Sequence, residues 1–290
     1  MPAGRVFSVI RLVATDLDGT LLAPHSGSGP RVTDRTLAAL EAARDAGILV
    51  VPSSGRQPFS IANALAGTYL AAGPVLGANG AIGVHLGTGE VYFERLIEPA
   101  AQSALYRGLV ERFPGARCVS VRDGGVAFFP QHGYVGLMDP GDHGRGPDGL
   151  GEFDLDDVLG TPSLKLVVRD PDVDPATLLK AALELAVPGC TCTTSGAPFL
   201  EVSAAGVDKG TGLAALCERL GVARDEVAAL GDEHNDLPML RWAGRGIAMA
   251  NASGVVLGAV DERTASNGDD GVALILEGLV ARAGGVAAGR

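Results

Sequence analysis

A short apolar run that ends in two acids is the feature that most constrains the fold of this chain. Leu12 to Thr15 are consecutive apolar or β-branched residues, and such an unbroken run is typical of a parallel strand that is covered on both faces. Asp16 and Asp18 follow directly, and Gly19 allows the backbone to turn. Because ligands bind at the carboxyl ends of strands in open α/β sheets, this position favours a reactive site over a solvated surface.

The spacing of the two acids points to chemistry. Residues two apart on an extended segment point to the same side, so one metal ion or substrate could contact both Asp16 and Asp18. Such carboxylates do not ionise independently, and one can stay ionised while the other keeps a proton. The two would then act as a nucleophile and a general acid. A turn or helix-capping pair is the alternative, since Asp is common where strands end.

Strands and helices alternate at both ends of the chain, which predicts an α/β core with a parallel sheet. Thr33 is predicted to cap a helix that Gly47 ends, and Ile48 to Val51 is predicted as the next buried strand. A second helix is predicted from about Pro58 to Leu70. The alternation stops near residue 82 and returns after residue 204.

The middle of the chain has a different pattern. Residues 82–202 combine hairpins with amphipathic helices, and we expect them to form an α+β cap domain inserted into the first domain. The core domain would then be discontinuous and consist of residues 1–81 and 203–290. Within the insertion, Asp139 to Gly151 is crowded with Gly, Pro and Asp, which predicts a mobile loop.

Four motifs, in order along the chain, resemble those of the haloacid dehalogenase-like hydrolases. They are Asp16-Leu17-Asp18-Gly19-Thr20, Ser54-Gly55-Arg56, Lys209 at a helix start, and Gly231-Asp232-Glu233-His234-Asn235-Asp236. Their flanks are similar to the Cof-type branch of sugar-phosphate phosphatases, and the insertion lies where that branch carries its type IIB cap. The resemblance implies a Rossmann-like, doubly wound parallel-sheet core domain with an inserted α+β cap.

The same resemblance implies a magnesium-dependent phosphatase, that is, a phosphoric monoester hydrolase that forms an aspartyl phosphate. The residues implied to be catalytic are the nucleophile Asp16, the acid and base Asp18, and Lys209. Those implied to bind substrate are Ser54, Gly55, Arg56 and Asn235. Those implied to hold Mg²⁺ are Asp16, Asp18 through its backbone carbonyl, Asp232 and Asp236. Arg56 could instead pair with a surface acid, and Asp236 could orient the lysine.

Composition limits the partners. A formal net charge of −11 over 290 residues argues against nucleic acid or an anionic membrane, because both require a basic surface. We expect a small phosphorylated substrate and a monomer or weak homodimer. Cysteines are few and the first residues lack a secretory pattern, so we expect a cytoplasmic protein. Two alternatives stay open: a phosphomutase of the same superfamily, and a non-catalytic binding or regulatory module on this fold.

Overall fold

The computed structural model describes residues 9–25, 29–139 and 142–287. The strands are β1 (Leu12–Thr15), β2 (Leu49–Pro52), β3 (Pro74–Gly77), β4 (Ile82–His85), β5 (Val91–Glu94), β6 (Arg117–Arg122), β7 (Ala127–Pro130), β8 (Lys165–Arg169), β9 (Cys190–Thr193), β10 (Leu200–Ala204), β11 (Val227–Gly231), β12 (Arg245–Ala248) and β13 (Glu262–Arg263). The helices are α1 (Asp34–Asp45), α2 (Pro58–Ala64), α3 (Pro99–Arg112), α4 (Leu155–Leu159), α5 (Pro175–Leu185), α6 (Lys209–Leu220), α7 (Leu237–Trp242), α8 (Gly254–Ala259) and α9 (Gly271–Ala287).

A parallel sheet with the order β13-β12-β11-β1-β2 forms the centre of the core, and β1 lies between β11 and β2. The side chains of β1 alternate between two apolar clusters. Val13 packs with residues of α1 and α9, whereas Leu12 and Ala14 pack with residues of α6 and α7. Burial on both faces explains the unbroken apolar run in the sequence. The predicted α/β class is therefore confirmed.

The inserted region contains a second sheet, which is antiparallel and has the order β7-β6-β8-β10-β9. Helices α3 and α5 cover it through a separate apolar cluster, in which Leu105 and Leu178 pack with Leu166 and Leu200. One face of an antiparallel sheet can stay free of helices, which leaves it available to contact the core. The predicted α+β character of the cap is confirmed.

A third sheet joins the two regions. Strands β3, β4 and β5 pair antiparallel, and Ile82 and Val84 of β4 belong to the same buried cluster as Val13. In the structure, β4 and β5 thus continue the packing of the larger unit. The division at residues 82 and 202 stays a prediction.

Helix α1 begins where its local sequence predicts, but α2 ends earlier than we predicted. Thr33 accepts a hydrogen bond from the Thr36 amide (3.1 Å), which confirms the predicted cap. The helix predicted from Pro58 to Leu70 ends at Ala64 instead, and a short 3₁₀ helix spans Tyr69–Ala72. Gly67, with a φ of +87°, interrupts the helical backbone between them.

The first part of the segment predicted as a mobile loop is packed, which corrects that expectation for residues 139 and 142–144. Arg169 of β8 pairs with Asp142 (2.6 Å) and Asp139 (3.1 Å), and His143 is buried. Gly144 lies directly against the side chain of Ser60 in the core. Composition alone did not reveal these partners, because they lie on other elements.

None of the helices formed by the described residues is long and apolar enough to cross a membrane.

Candidate active site

Three buried carboxylates meet at the carboxyl edge of the parallel sheet. Asp16 follows β1, Asp232 follows the neighbouring β11, and Asp236 lies one turn further along the chain. One oxygen of each lies within 4.8 Å of the others. Parallel neighbouring strands end at the same edge of a sheet, so two distant segments of the chain supply one acidic cluster.

Lys209 supplies the positive charge inside this cluster. It is the first residue of α6 and is fully buried, and Asp208 before it caps the helix by accepting a hydrogen bond from the Thr211 amide. Its Nζ lies 2.5 Å from Asp16 Oδ1 and 2.6 Å from Asp236 Oδ1. Asp16 and Asp236 thus share one ammonium group, and the Asp232 carboxylate lies beside them. The surplus of buried negative charge and the hard oxygen donors fit a divalent cation such as Mg²⁺.

The three carboxylates accept different numbers of hydrogen bonds. Asp236 uses Oδ1 for Lys209 and accepts with Oδ2 from the amides of Asp232 and Glu233, both at 2.9 Å. Among the described residues, one side chain donates a hydrogen bond to Asp232, namely the Thr20 hydroxyl to Oδ1 (2.6 Å). This arrangement favours Asp16 and Asp232 as metal ligands, and it favours Asp236 as the residue that orients Lys209.

Gly19 is required where the first motif turns toward Asp232. Its φ is +83°, and a Cβ atom there would lie 2.2 Å from Asp232 Oδ2. Its carbonyl accepts a hydrogen bond from the Asn251 side chain (2.8 Å). The turn predicted at this glycine is confirmed, and the close approach of the Asp232 carboxylate is a second reason for glycine there.

Burial dominates the electrostatics of the cluster. Burial raises the pKa of Asp16 well above its usual range, with Lys209 opposing and Asp236 and Asp232 adding to the rise. Burial likewise raises the pKa of Asp232 to about 7, although the bond from Thr20 lowers it. For Lys209, burial lowers the pKa, but Asp16 and Asp236 outweigh burial and the net shift is upward. A cation at this position would relieve the excess of negative charge.

Asp18 lies outside the buried cluster. Its carboxylate accepts two hydrogen bonds from Arg56, to Oδ2 from Nε at 2.7 Å and to Oδ1 from Nη2 at 2.6 Å. The bonds to Asp18 raise the pKa of Arg56 against the opposing effect of burial. Asp18 and Asp16 therefore have different partners, but both line the same cavity. We predicted that Arg56 binds substrate or pairs with a surface acid, and in the structure it pairs with the acid Asp18.

The remaining predicted substrate residues lie beside the cluster. Ser54 Oγ accepts a hydrogen bond from the Arg56 amide (3.2 Å), and its own backbone amide is bonded to Leu76. Asn235 donates through Nδ2 to Asn79 Oδ1 (2.9 Å). Asn79 has a φ of +56°, a left-handed conformation that Asn adopts more readily than most residues. In the structure it also holds Asn235, which the left-handed tendency of an Asn-Gly pair could not reveal.

A cavity of about 430 Å³ lies above these residues, between core and cap. Its floor includes all the predicted site residues except the buried Lys209 and Asp236. Its cap side includes His143, Lys165, Glu201 and the segment Ser195–Phe199. None of these cap residues was identified from the sequence. A signal existed, because Lys165 and Glu201 are charged residues next to apolar residues of the strands β8 and β10.

Comparisons with known proteins agree with this geometry. A family model described as haloacid dehalogenase-like hydrolase matches residues 13–276. The phosphatase YwpJ of Bacillus subtilis is 28% identical over 296 residues, which cover 93% of this chain and 100% of YwpJ.

Two solved structures have the same fold. A haloacid dehalogenase-like hydrolase from Bacteroides thetaiotaomicron superposes with a TM-score of 0.71 at 27% identity, over 92% of this chain and 98% of that chain. The subclass IIB sugar phosphatase BT4131 superposes with a TM-score of 0.75 at 21% identity, over 93% of this chain and 99% of that chain. The similarity covers both the core and the inserted cap.

Proposed function

Because this chain belongs to the haloacid dehalogenase-like hydrolases and is a phosphatase of that family, we propose that it hydrolyses a small phosphorylated metabolite, such as a sugar phosphate, with Mg²⁺ and through an aspartyl phosphate. The single observation that carries the proposal is the buried cluster of Asp16, Asp232, Asp236 and Lys209, of which Asp16 and Asp232 line the floor of the cavity. A cluster that is short of positive charge suits both a metal ion and a phosphate-transfer reaction.

Asp16, Asp232 and the backbone carbonyl of Asp18 would hold the ion, and Asp236 would support them by holding Lys209. When bound, Mg²⁺ neutralises negative charge on the phosphoryl oxygens and on Asp16. Lys209 fixes the orientation of Asp16 through Oδ1. A carboxylate that is held in one orientation is already aligned for attack, which lowers the entropic part of the barrier.

The first step transfers the phosphoryl group to Asp16. A carboxylate oxygen of Asp16 forms a bond to phosphorus while the bond from phosphorus to the leaving alcohol oxygen breaks. Asp18 supplies the proton that the alcohol needs. In the second step, water attacks the aspartyl phosphate, Asp18 takes a proton from that water, and phosphate and the free Asp16 carboxylate are formed.

Arg56 would control when Asp18 becomes available for proton transfer. It holds the Asp18 carboxylate by two hydrogen bonds. A phosphate dianion that enters the cavity would compete for the guanidinium group, since Arg binds both anions in the same forked geometry. Asp18 would then be released to carry the proton.

Ser54 and Asn235 would hold the phosphoryl oxygens. Ser54 Oγ already accepts from the Arg56 amide, so its hydrogen is free to donate into the cavity. Asn235 uses Nδ2 for Asn79, and its second amide hydrogen has no partner among the described residues. Both donors suit an oxyanion whose charge grows in the transition state.

The cap side of the cavity argues against a phosphomutase. Such an enzyme must bind a second phosphate group, which needs free cationic groups on the cap. Among the described cap residues that line the cavity, Lys165 is paired with Glu201. Burial lowers the pKa of His143 to about 3, so it is neutral at pH 7. Hydrolysis is therefore the better-supported reaction.

The test is phosphate release from a panel of sugar, nucleotide and cofactor phosphates, with Mg²⁺ and with chelator. Asp16→Asn keeps the size of the side chain but removes the nucleophile, so we expect turnover to fall below detection with the fold intact. Asp45→Asn makes the same change at an exposed site at the end of α1 and serves as the matched control. Magnesium-independent release, or release that persists in Asp16→Asn, would refute the mechanism.

A further inference from the structure

Two asparagine side chains hold the turn that follows Asp18. Asn251 lies in the loop after β12, and its Nδ2 donates a hydrogen bond to the carbonyl of Gly19 (2.8 Å). Asn267 lies between β13 and α9, and its Nδ2 donates to the carbonyl of Leu22 (2.8 Å). Neither asparagine lines the cavity, so this asparagine pair acts on the backbone of the turn and not on a molecule bound in the cavity.

The two asparagines are also bonded to each other. The backbone amide of Asn267 donates to Oδ1 of Asn251 (3.0 Å). This bond uses the oxygen of the Asn251 side chain and leaves its amide nitrogen to donate to a carbonyl, which is what Gly19 provides. Because both polar ends of Asn251 have partners, its side chain is held in one orientation although the residue is exposed.

The turn contains a backbone that is intrinsically flexible. Gly19 has a φ of +83°, and a glycine can leave such a conformation at little cost. Its carbonyl accepts a hydrogen bond from Asn251 and from no other side chain among the described residues. A rotation about the Gly19 backbone would reorient the preceding peptide, whose carbonyl belongs to Asp18 and is a proposed ligand of Mg²⁺. Asn251 therefore restricts the direction of this carbonyl.

The loop that carries Asn251 also holds the second metal-binding segment. The backbone amide of Ser253 donates to the carbonyl of Asp232 (2.9 Å). Residues 249–253 thus contact both the turn after β1 and the residue that follows β11. A shared support keeps the spacing between ligands on separate strands constant. Mg²⁺ is sensitive to this spacing because it requires short bonds in near-octahedral geometry.

We propose that Asn251 is a positioning residue for the Mg²⁺ site, because it holds the Gly19 peptide so that the Asp18 carbonyl and the Asp232 carboxylate keep the spacing that the ion requires. Asn267 supports it by fixing the orientation of Asn251 and the other end of the turn. Residues that orient metal ligands without touching the metal contribute about ten- to a hundredfold to affinity. The inference rests on the Mg²⁺ site of the proposed function, and it adds two residues outside the four motifs.

A purely structural role of the asparagine pair is the competing explanation. In that case, loss of the Asn251 side chain would lower the free energy of unfolding but leave the Mg²⁺ affinity of the folded protein unchanged. A positioning role weakens Mg²⁺ binding in protein that is fully folded. Metal affinity and stability, measured on the same variants, therefore separate the two explanations.

The experiment measures the dissociation constant of Mg²⁺ by calorimetry at pH 7, on the full chain and without substrate. Asn251→Ala removes the bond to Gly19, and we expect the dissociation constant to rise about ten- to a hundredfold. Asn267→Ala removes the bond to Leu22 but keeps the backbone amide that holds Asn251, so we expect a smaller rise of about two- to fivefold. Asn63→Ala changes an exposed asparagine of α2 and is the matched control, which should bind Mg²⁺ like the wild type.

A second variant, Asn251→Asp, separates the hydrogen bond from the size of the side chain. Aspartate keeps the size and still accepts from the Asn267 amide, but it cannot donate to the Gly19 carbonyl. Its added negative charge by itself would strengthen the binding of a cation. We therefore expect weaker Mg²⁺ binding only if the lost bond to Gly19 matters more than the charge, and equal or tighter binding would contradict the inference.

Urea unfolding in chelator shows which variants are folded under the conditions of the titration. Folded Asn251→Ala that binds Mg²⁺ as tightly as Asn63→Ala would overturn the inference and leave the proposed function standing. Absence of Mg²⁺ binding to the wild type would refute the metal site and this inference together. Mg²⁺ binding that depends on Asn251, in a protein that releases phosphate from no ester, would support the inference and refute only the proposed hydrolysis.

Discussion

The substitution Lys209→Met tests how much the buried ammonium group contributes to the stability of the core. Methionine preserves the length and apolar stem of the side chain but removes the ammonium group that Asp16 and Asp236 share. Removing one partner of a buried ion pair costs about 3–5 kcal/mol, because the remaining charge is left uncompensated. Since domains unfold with only about 5–15 kcal/mol, we expect a large part of the stability of the core to be lost.

The loss should depend on pH, and the sign follows from the cluster. Burial already raises the pKa of Asp16, and Lys209 is the group that opposes this rise. Without Lys209 the pKa of Asp16 rises further, so the native state binds more protons than the unfolded state over a wider pH range. Stability then falls as pH increases. We expect Lys209→Met to be destabilised more at pH 8 than at pH 5.5, and Mg²⁺ to restore part of the loss.

The measurement is urea unfolding in chelator at both pH values, followed by tryptophan fluorescence. Trp242 is the only tryptophan of the chain and packs on the core cluster that contains Leu12, so it reports unfolding of the core. Lys180→Met, at an exposed position of α5, is the matched control. If Lys209→Met loses no more stability than this control, or loses it equally at both pH values, Lys209 does not compensate the buried acids and the reasoning fails.

Two further changes test the surroundings of the site. Thr20→Val removes the hydroxyl whose hydrogen bond lowers the pKa of Asp232, so this pKa should rise above about 7. Because more of Asp232 is then protonated at pH 7, we expect calorimetry to show an affinity for Mg²⁺ that is about three- to tenfold weaker. The exposed Thr88→Val is the control and should leave the affinity unchanged, and an unchanged affinity in Thr20→Val would contradict the prediction. Gly144 has a φ of +70°, and Gly144→Ala would also place a Cβ atom 2.0 Å from Ser60 Oγ. Because of this strain and this clash, we expect the free energy of unfolding in urea to fall by about 1–3 kcal/mol. Gly149→Ala has a similar φ of +75° but open space around it, and an equal loss there would show that only backbone strain is involved.

Local patterns predicted much of the core. The apolar run of β1 and the cap at Thr33 both depend on residues close in sequence, and both are present as expected. The order of the four motifs indicated the family, and the family match confirms it. The structure also brings Asp16, Lys209, Asp232 and Asp236 together, as their positions at strand ends and a helix start suggested. Their catalytic roles stay predictions.

Patterns failed where partners come from different elements. The segment from Asp139 to Gly151 has the composition of a loop of Gly, Pro and Asp, yet Arg169 of β8 pairs with Asp139 and Asp142, and Gly144 lies close to Ser60 of α2. The pairing of Asp18 with Arg56, and that of Lys165 with Glu201, likewise join separate strands and loops. Each of these contacts depends on which side chains of separate elements the fold brings next to one another.

The sequence by itself determined the type of core, the inserted α+β region and the acids that follow two of the core strands. These follow from interactions within a few residues, since burial on both faces of a strand and capping of a helix leave a local record in the chain. Only the tertiary structure decided that Asp236 holds Lys209, that Arg56 holds Asp18, and that the cap presents Glu201 to Gly55. The physical reason is that an ion pair or an unpartnered oxygen is defined by distances between side chains, and packing sets those distances between segments that are far apart in sequence.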